Sequence, residues 1–361
     1  MSIDKKMKIV NVILTSQNGG AEQVFIDYCN ILKNRLNHEV IAVLKEDAPY
    51  KDEVNKLGVK IFNIRNDFGF YDFIAIKKLK KILIENDADI VIGHNGRSAT
   101  LIKKAAGKVK NKKITTIAVN HSDNVKRSIG ADIIFSVNKK IFYKTIDLGQ
   151  KSDKSFVISN AIDLKNYQFL PKEINFKKEE ITIGIIGRFD PTKGFFEAIK
   201  AINIANLKDN KFKLKIAGSG KIESELKILI KNLNMSSNVE FLGWIKNKEE
   251  FFKKIDMFIL PSLEEPFGLV VIEAMKYGVP IISSNADGPK EILRDKIDAL
   301  IVDIEPKETL EKRLSEKIIY LANNENLAKE MIENSYKRLQ NNFSFDALES
   351  KFREIFGSQK K

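Results

Sequence analysis

The chain has 361 residues, 43% of them hydrophobic, a length that calls for two domains and lets each bury a core of its own. Its single cysteine, Cys29, excludes an intramolecular disulfide, and no apolar run approaches the roughly 20 residues needed to span a bilayer. The formal charge of +13 is uneven: residues 1–163 hold 28 Lys+Arg against 18 Asp+Glu, a balance of +10, and the remainder 33 against 30, a balance of +3.

Residues 8–14 (KIVNVIL) read as a buried strand, too short and too polar at Asn11 for a secretory leader, so a cytoplasmic protein is expected. A Gly-Gly loop and a helix over 21–36 follow, with Val24, Phe25, Tyr28, Ile31 and Leu32 on one side. Short apolar runs at 39–44, 60–64, 90–92, 114–119, 133–137 and 155–158, several separated by helical stretches, predict a mostly parallel sheet covered on both faces. The pattern lapses into a polar, lysine-rich linker at about 160–180. A second series then begins: strands at 181–186, 213–217, 239–242, 257–260 and 280–283, with helices over 194–205, 222–233, 248–255 and 266–277. The closing segment 343–356 reads as one more amphipathic helix. The fold class is therefore α/β, two Rossmann-like doubly wound domains whose ligand belongs in a central cleft at the carboxyl ends of the strands.

The loops at those strand ends carry the chemistry. Gly19 and Gly20 follow the first strand and allow close backbone approach to a ligand. The matching loop of the second half, GRFDPTKG at 187–194, sets Arg188 and Lys193 on either side of an Asp190-Pro191 turn. Two cations there suit a diphosphate without a metal ion, each contact being worth roughly 4 kcal/mol near 4 Å before desolvation. AGSG at 217–220 brings more bare backbone to the same edge. In 258–280 (FILPSLEEPFGLVVIEAMKYGVP), Glu265 precedes a helix, Gly268 bares its start and Glu273 lies eight residues after Glu265. Free N–H groups at a helix start attract phosphate, and paired carboxylates suit the vicinal hydroxyls of ribose and sugar. His94 and His121 each follow a strand of the first half, and Asn120, Ser122 and Asp123 surround His121 with polar partners; His38 reads as structural. Asp87-Ala88-Asp89 lies at a strand entrance, opposite that edge, and reads as a turn. No Cys/His zinc spacing and no serine nucleophile elbow is present, so no metal is expected.

Together GGAE at 19–22, GRFDPTKG, AGSG, FLGW at 241–244 and EPFGLVVIEAM at 265–275 resemble glycosyltransferase family 4, the retaining nucleotide-sugar transferases of the GT-B fold, over nearly the whole chain. The last of these matches the family's E-x7-E signature. VISNAID at 157–163 resembles the segment before the interdomain linker, with Ala161 where glycine is commoner. The resemblance implies an acceptor-binding domain at 1–163, a donor domain at 164–342, and a helix in 343–361 that returns to the first domain. It also implies that Arg188 and Lys193 bind the donor diphosphate, helped by the backbone amides of Phe267, Gly268 and Leu269. Glu273 would hold the ribose and Glu265 the transferred sugar; Gly19, Gly20 and Gly218 would line the pocket, with Phe241 and Trp244 near the base. His121 would approach the sugar, and His94, Asn95, Arg97 and Asn120 would lie on the acceptor side. The donor is a nucleotide-diphosphate sugar, UDP by family frequency, with no cofactor. Domain closure would keep water from the donor.

The acceptor is expected to be a glycan or lipid-linked molecule of cell-surface polysaccharide or lipopolysaccharide assembly. Phe68, Phe70, Tyr71 and Phe73 with Lys77, Lys78, Lys80 and Lys81, and a second basic run over 103–113, fit contact with an anionic membrane. A core-packed helix with a solvated lysine face is the competing reading. A related GT-B enzyme such as a sugar-nucleotide epimerase stays open; a nucleic-acid binder is suggested only by charge and lacks a recognisable module, so no nucleic-acid partner is expected.

Overall fold

The computed structural model describes residues 6–209 and 211–358 and divides into two units, one formed by residues up to Asp163 and from Ser344 onward, the other by Leu164–Phe343. The first holds β1 (Lys8–Ile13), β2 (Glu39–Lys45), β3 (Lys60–Ile64), β4 (Ile90–His94), β5 (Thr115–Asn120), β6 (Ile133–Ser136) and β7 (Ser155–Val157). These pair in parallel in the order β3-β2-β1-β4-β5-β6-β7. Its crossovers carry α1 (Gly20–Asn30), α2 (Lys51–Lys56), α3 (Phe73–Glu85), α4 (Asn95–Ala106) and α5 (Lys139–Asp147). Val10, Val12, Ile41, Val43 and Val91 meet Ile76, Leu79, Leu101 and Ile102 of α3 and α4 in one apolar core. Strands buried on both faces have no polar side to show, which is why they read as continuous apolar runs. The helix expected over 21–36 changes its hydrogen-bond step midway: α1 passes into a π-turn at Ile31–Arg35, where Leu36 N–H donates to Ile31 O at 2.9 Å.

The second unit repeats the plan with β8 (Ile181–Ile186), β9 (Phe212–Ala217), β10 (Val239–Gly243), β11 (Met257–Leu260), β12 (Ile281–Ser284) and β13 (Leu300–Val302), ordered β10-β9-β8-β11-β12-β13 and all parallel. Its helices are α6 (Phe195–Asn206), α7 (Glu223–Asn232), α8 (Lys248–Lys253), α9 (Leu269–Lys276), α10 (Pro289–Ile292), α11 (Leu310–Ala322) and α12 (Glu325–Asn342). Everything from β13 to α12 lies beyond the last strand expected from the sequence. In both sheets the strand order reverses beside the first strand, at β1/β4 and β8/β11, and ligands of such sheets gather at the carboxyl ends there. The stretch read as a linker is anchored to the second unit. Phe169 lies flat on Tyr336 with ring centroids 3.7 Å apart, and Ile174 and Phe176 enter the core.

The last helix, α13 (Phe345–Ser358), belongs to the first unit; residues 359–361 of the expected closing segment lie outside the described residues. Phe352 meets Tyr28 edge-on at 4.9 Å, and Arg35 gathers Asp163, Asp346 and Glu349. Among the described residues no helix is long and apolar enough to cross a membrane.

Candidate functional site

In the second unit the site is built on the loops after β8, β11 and β12. After β11 the chain runs through Pro261–Phe267 before α9 begins at Leu269, three residues later than expected at Pro266. The cause is Gly268, held at φ +94° and ψ +64° as a helix cap that makes no side-chain hydrogen bond. The next loop pins this turn: Gly288 N–H donates to Glu265 O at 2.8 Å, and a Cβ on Gly288 would come within 2.4 Å of Phe267 Cα. The Phe267 ring is buried, so the turn offers a ligand backbone rather than that side chain.

Two carboxylate–lysine pairs form here, one in the loop before Gly268 and one in the helix after it. Lys193 Nζ lies 2.8 Å from Glu265 Oε2. Glu273, one turn into α9, takes Lys248 Nζ on Oε1 at 2.5 Å, while its buried Oε2 has no hydrogen-bond partner. Burial raises the Glu273 carboxyl above its ordinary value, against the opposing pull of Lys248. Asp190 accepts from the Thr192 N–H and Oγ1–H at 3.1 and 2.8 Å and so shapes the loop between Arg188 and Lys193. The Thr192 bonds, helped by Arg188 and Lys193, hold the Asp190 carboxyl low. Arg188 is exposed and, among the described residues, makes no salt bridge. Gly218 follows β9 so closely packed that a Cβ would fall 1.8 Å from Gly187 O. Phe241 is half-buried against Phe189, and Trp244 is exposed at the end of β10. A cavity of about 630 Å³ adjoins these loops, lined by Thr192, Glu264, Asn285 and Asp303 among others. Its wall includes none of Arg188, Lys193, Glu265 and Glu273, so the charged pairs mark the site better than the void does. Lys248 and Gly288 were missed by sequence reading.

The first unit collects its expected residues at the ends of β1, β4 and β5. Gly19 is extended at the head of α1, with Glu22 folded back on it, and Gly20 opens the helix. Arg97 donates to Leu14 O at 3.4 Å, tying α4 to the loop after β1, and Asn95 takes a left-handed φ of +64° at the start of α4. His121 Nε2 lies 3.0 Å from His94 Nδ1, and His94 Nε2 lies 3.0 Å from Asn11 Oδ1. The expectation that His94 meets an acceptor is corrected: its ring is fully buried behind His121, walled by Phe25 and Tyr28. Asn120 is likewise buried, with an Nδ2 that finds no partner. Burial pushes His121 down to about 4, and burial with the neighbouring His121 pushes His94 well below the ordinary histidine range. Both rings are neutral at neutral pH.

Asp87 and Asp89 are bridged by Lys112 at 3.0 and 2.7 Å, and Asp89 also accepts from Lys8 N–H at 2.8 Å, as befits a turn entering β4. Among the described residues no group of three or more His, Cys, Asp or Glu is placed to hold a metal ion.

Residues 166–338 match the family model described as "Glycosyl transferases group 1". The chain is 24% identical over 345 residues to a lipopolysaccharide core biosynthesis glycosyltransferase, LpsE, of Rhizobium meliloti, covering 95% of this chain and 97% of that one. It is 28% identical over 351 residues to an alpha-1,4-N-acetyl-D-galactosaminyltransferase of Campylobacter jejuni, named for a diNAcBac-PP-undecaprenol-linked acceptor, covering 92% and 93%. Among solved structures, Anabaena Alr3699/HepE in complex with UDP and glucose superposes with a TM-score of 0.83 at 18% identity, covering 98% of this chain and 100% of that one. With two parallel Rossmann-like sheets this chain is a glycosyltransferase of GT-B fold, and its second unit lies almost wholly inside the match to the glycosyl transferases group 1 model.

Proposed function

We propose that the chain is a retaining transferase of family 4 type, moving a hexose or N-acetylhexosamine from a UDP-sugar to a lipid-linked or glycan acceptor of bacterial lipopolysaccharide or cell-surface polysaccharide, at the cytoplasmic face of the membrane. The observation that carries this reading is the Lys193–Glu265 pair beside the turn that Gly268 opens, with Arg188 in the same loop as Lys193 and Glu273 in the helix that follows. A diphosphate is matched by the two cations and the uncapped start of α9, and a ribose hydroxyl by the unpartnered Glu273 Oε2. UDP in a structural neighbour and a polyprenyl diphosphate in a relative's name support the donor and acceptor classes.

The chemistry follows from those groups. The bond between the anomeric carbon and the β-phosphate oxygen breaks, the acceptor oxygen bonds to the same face, and the departing phosphate takes the acceptor's proton. Arg188 and Lys193 neutralise the charge gathering on the diphosphate, so no metal ion is required. Glu265 positions the sugar and His121 meets one of its hydroxyls, while Asn95 and Arg97 stand on the acceptor side and Asn120 is buried.

Membrane contact through α3 is part of this reading. Phe68, Tyr71, Phe73 and Ile74 are each about two-thirds or more exposed beside exposed Lys77, Lys78 and Lys81, whereas Ile76, Leu79 and Leu83 pack inward. A merely solvated lysine face would not carry that much exposed aromatic surface.

The test is nucleotide release from UDP-, GDP- and ADP-sugars with and without polyprenyl-diphosphate-linked glycans, the product's anomeric configuration being read by NMR. UDP release that depends on acceptor, with retention, is expected; acceptor-independent isomerisation of the donor would replace this reading with an epimerase.

A further inference from the structure

We propose that Asn11 and His94 act as positioning residues that fix the proton of His121 on Nε2, leaving its bare Nδ1 to accept a hydrogen bond from a hydroxyl of the bound sugar. That the hydroxyl belongs to a bound sugar rests on the transferase reading above; the order of protons does not.

The chain of bonds starts at Asn11, buried in β1. Its Nδ2 faces Phe25 O at 3.2 Å and Cys29 Sγ at 3.4 Å. A carbonyl oxygen can only accept, so the amide's nitrogen is on that side and its Oδ1 on the other. Oδ1 in turn can only accept, and its neighbour at 3.0 Å is His94 Nε2, which therefore carries a proton. His94 is buried between aromatic rings, with a neutral amide on one nitrogen and a second imidazole on the other. Among the described residues no carboxylate bonds to it, so it is held neutral and its Nδ1 is bare.

That nitrogen lies 3.0 Å from His121 Nε2, and the two rings are within 13° of coplanar. The 5.2 Å between centroids exceeds the nitrogen separation by roughly one ring width, as an in-plane N–H···N bond requires and a face-to-face stack does not. His121 must supply the proton, and being neutral it has none left for Nδ1. Among the described residues no group bonds to His121 Nδ1. A bare imidazole nitrogen repels phosphate and carbonyl oxygens and accepts from a hydroxyl, so the order of protons selects the ligand group.

The test labels the full chain with 15N-histidine and reads the tautomers at pH 7 from long-range side-chain 15N–1H spectra. There are three histidines, so single His→Gln variants assign them. His94 and His121 are expected as Nε2–H tautomers; an Nδ1–H or doubly protonated His121 overturns the inference. In His94→Phe, or in Asn11→Leu should the first variant fold poorly, His121 is expected to become a mixture of tautomers. A His121 wholly in the Nε2–H form in both variants would mean that neither residue sets it. Turnover with a UDP-sugar should fall about tenfold in the same variant, as expected for misdirecting one hydrogen bond. Unchanged turnover with an altered tautomer would overturn the assignment to a sugar hydroxyl. The spectra need no turnover, so they decide the tautomer even if the transferase reading fails.

Discussion

Lys193 Nζ and Glu265 Oε2 stand 2.8 Å apart across 72 residues of sequence, so a cation suited to a diphosphate and a carboxylate suited to a sugar neutralise each other. Their side chains are 21% and 15% exposed, well short of a freely solvated surface pair. The ion pair keeps both groups in place before a donor arrives.

Removing either partner should therefore have opposite effects on nucleotide binding. Lys193→Ala deletes a phosphate contact and leaves Glu265 to repel the anion; UDP affinity measured by calorimetry should weaken by about 10- to 100-fold, the worth of one charge-assisted bond. Glu265→Gln frees the lysine, so UDP affinity should hold or rise while sugar transfer falls. Equal losses of UDP affinity in the two variants would contradict these roles.

Glu273 gives a stability prediction with a definite pH sign. Lys248→Met strands a buried carboxylate and should cost about 1–3 kcal/mol, less than a fully buried pair because Lys248 is itself 40% exposed. Burial raises Glu273 in the folded state, so the folded protein holds this proton more tightly than the unfolded chain. Its contribution is favourable at low pH and is lost as pH rises through the raised value. Thermal melts of Lys248→Met should show a steeper loss on that rise than wild type, and Glu273→Gln should abolish the difference.

Neutral His121 predicts a rate without a histidine inflection. With His121 pushed down to about 4, kcat/KM should show no inflection from that ring across pH 5.5–7.5. An inflection near pH 6.5 that disappears in His121→Gln would contradict it. The folded protein excludes protons that the unfolded histidines accept, so this part of its stability is complete above the ordinary histidine value and is lost as pH falls toward 4.

For α3, Phe73→Ser with Ile74→Ser should weaken binding to phosphatidylglycerol-containing vesicles by at least about tenfold, since each apolar side chain contributes roughly 1.5–3 kcal/mol when buried. Replacing Lys77, Lys78 and Lys81 by Gln should remove the preference for anionic over neutral vesicles, at about 1 kcal/mol per lysine. Equal sedimentation of wild type with both vesicle types would remove membrane contact from the account.

The alternation of apolar runs with helical stretches was enough to anticipate two doubly wound sheets, because strands buried on both faces have to be apolar throughout. Boundaries were less legible. The left-handed Gly268 moved the start of α9 past Pro266, and a polar-looking stretch hid the core contacts of Ile174 and Phe176. Within the candidate site, Arg188, Lys193 and Glu265 stand out in the sequence because they flank glycine loops, and Glu273 because of its spacing from Glu265. Lys248 and Gly288 were not, since each reaches the site from a distant loop and looks like an ordinary residue in its own neighbourhood. The polar neighbours of His121 set it apart in sequence, but that His94 is a fully buried ring behind the half-buried His121 is visible only in the packing.

On the proposed function, the second unit grips the diphosphate of a UDP-sugar through Arg188 and Lys193. Calorimetric titration of UDP-sugar into wild type and Arg188→Ala/Lys193→Ala, with acceptor-dependent UDP release followed on the same preparations, tests it most directly. Binding and release should both collapse in the double variant while the fold, checked by circular dichroism, is kept. Donor affinity and turnover equal to wild type would contradict it.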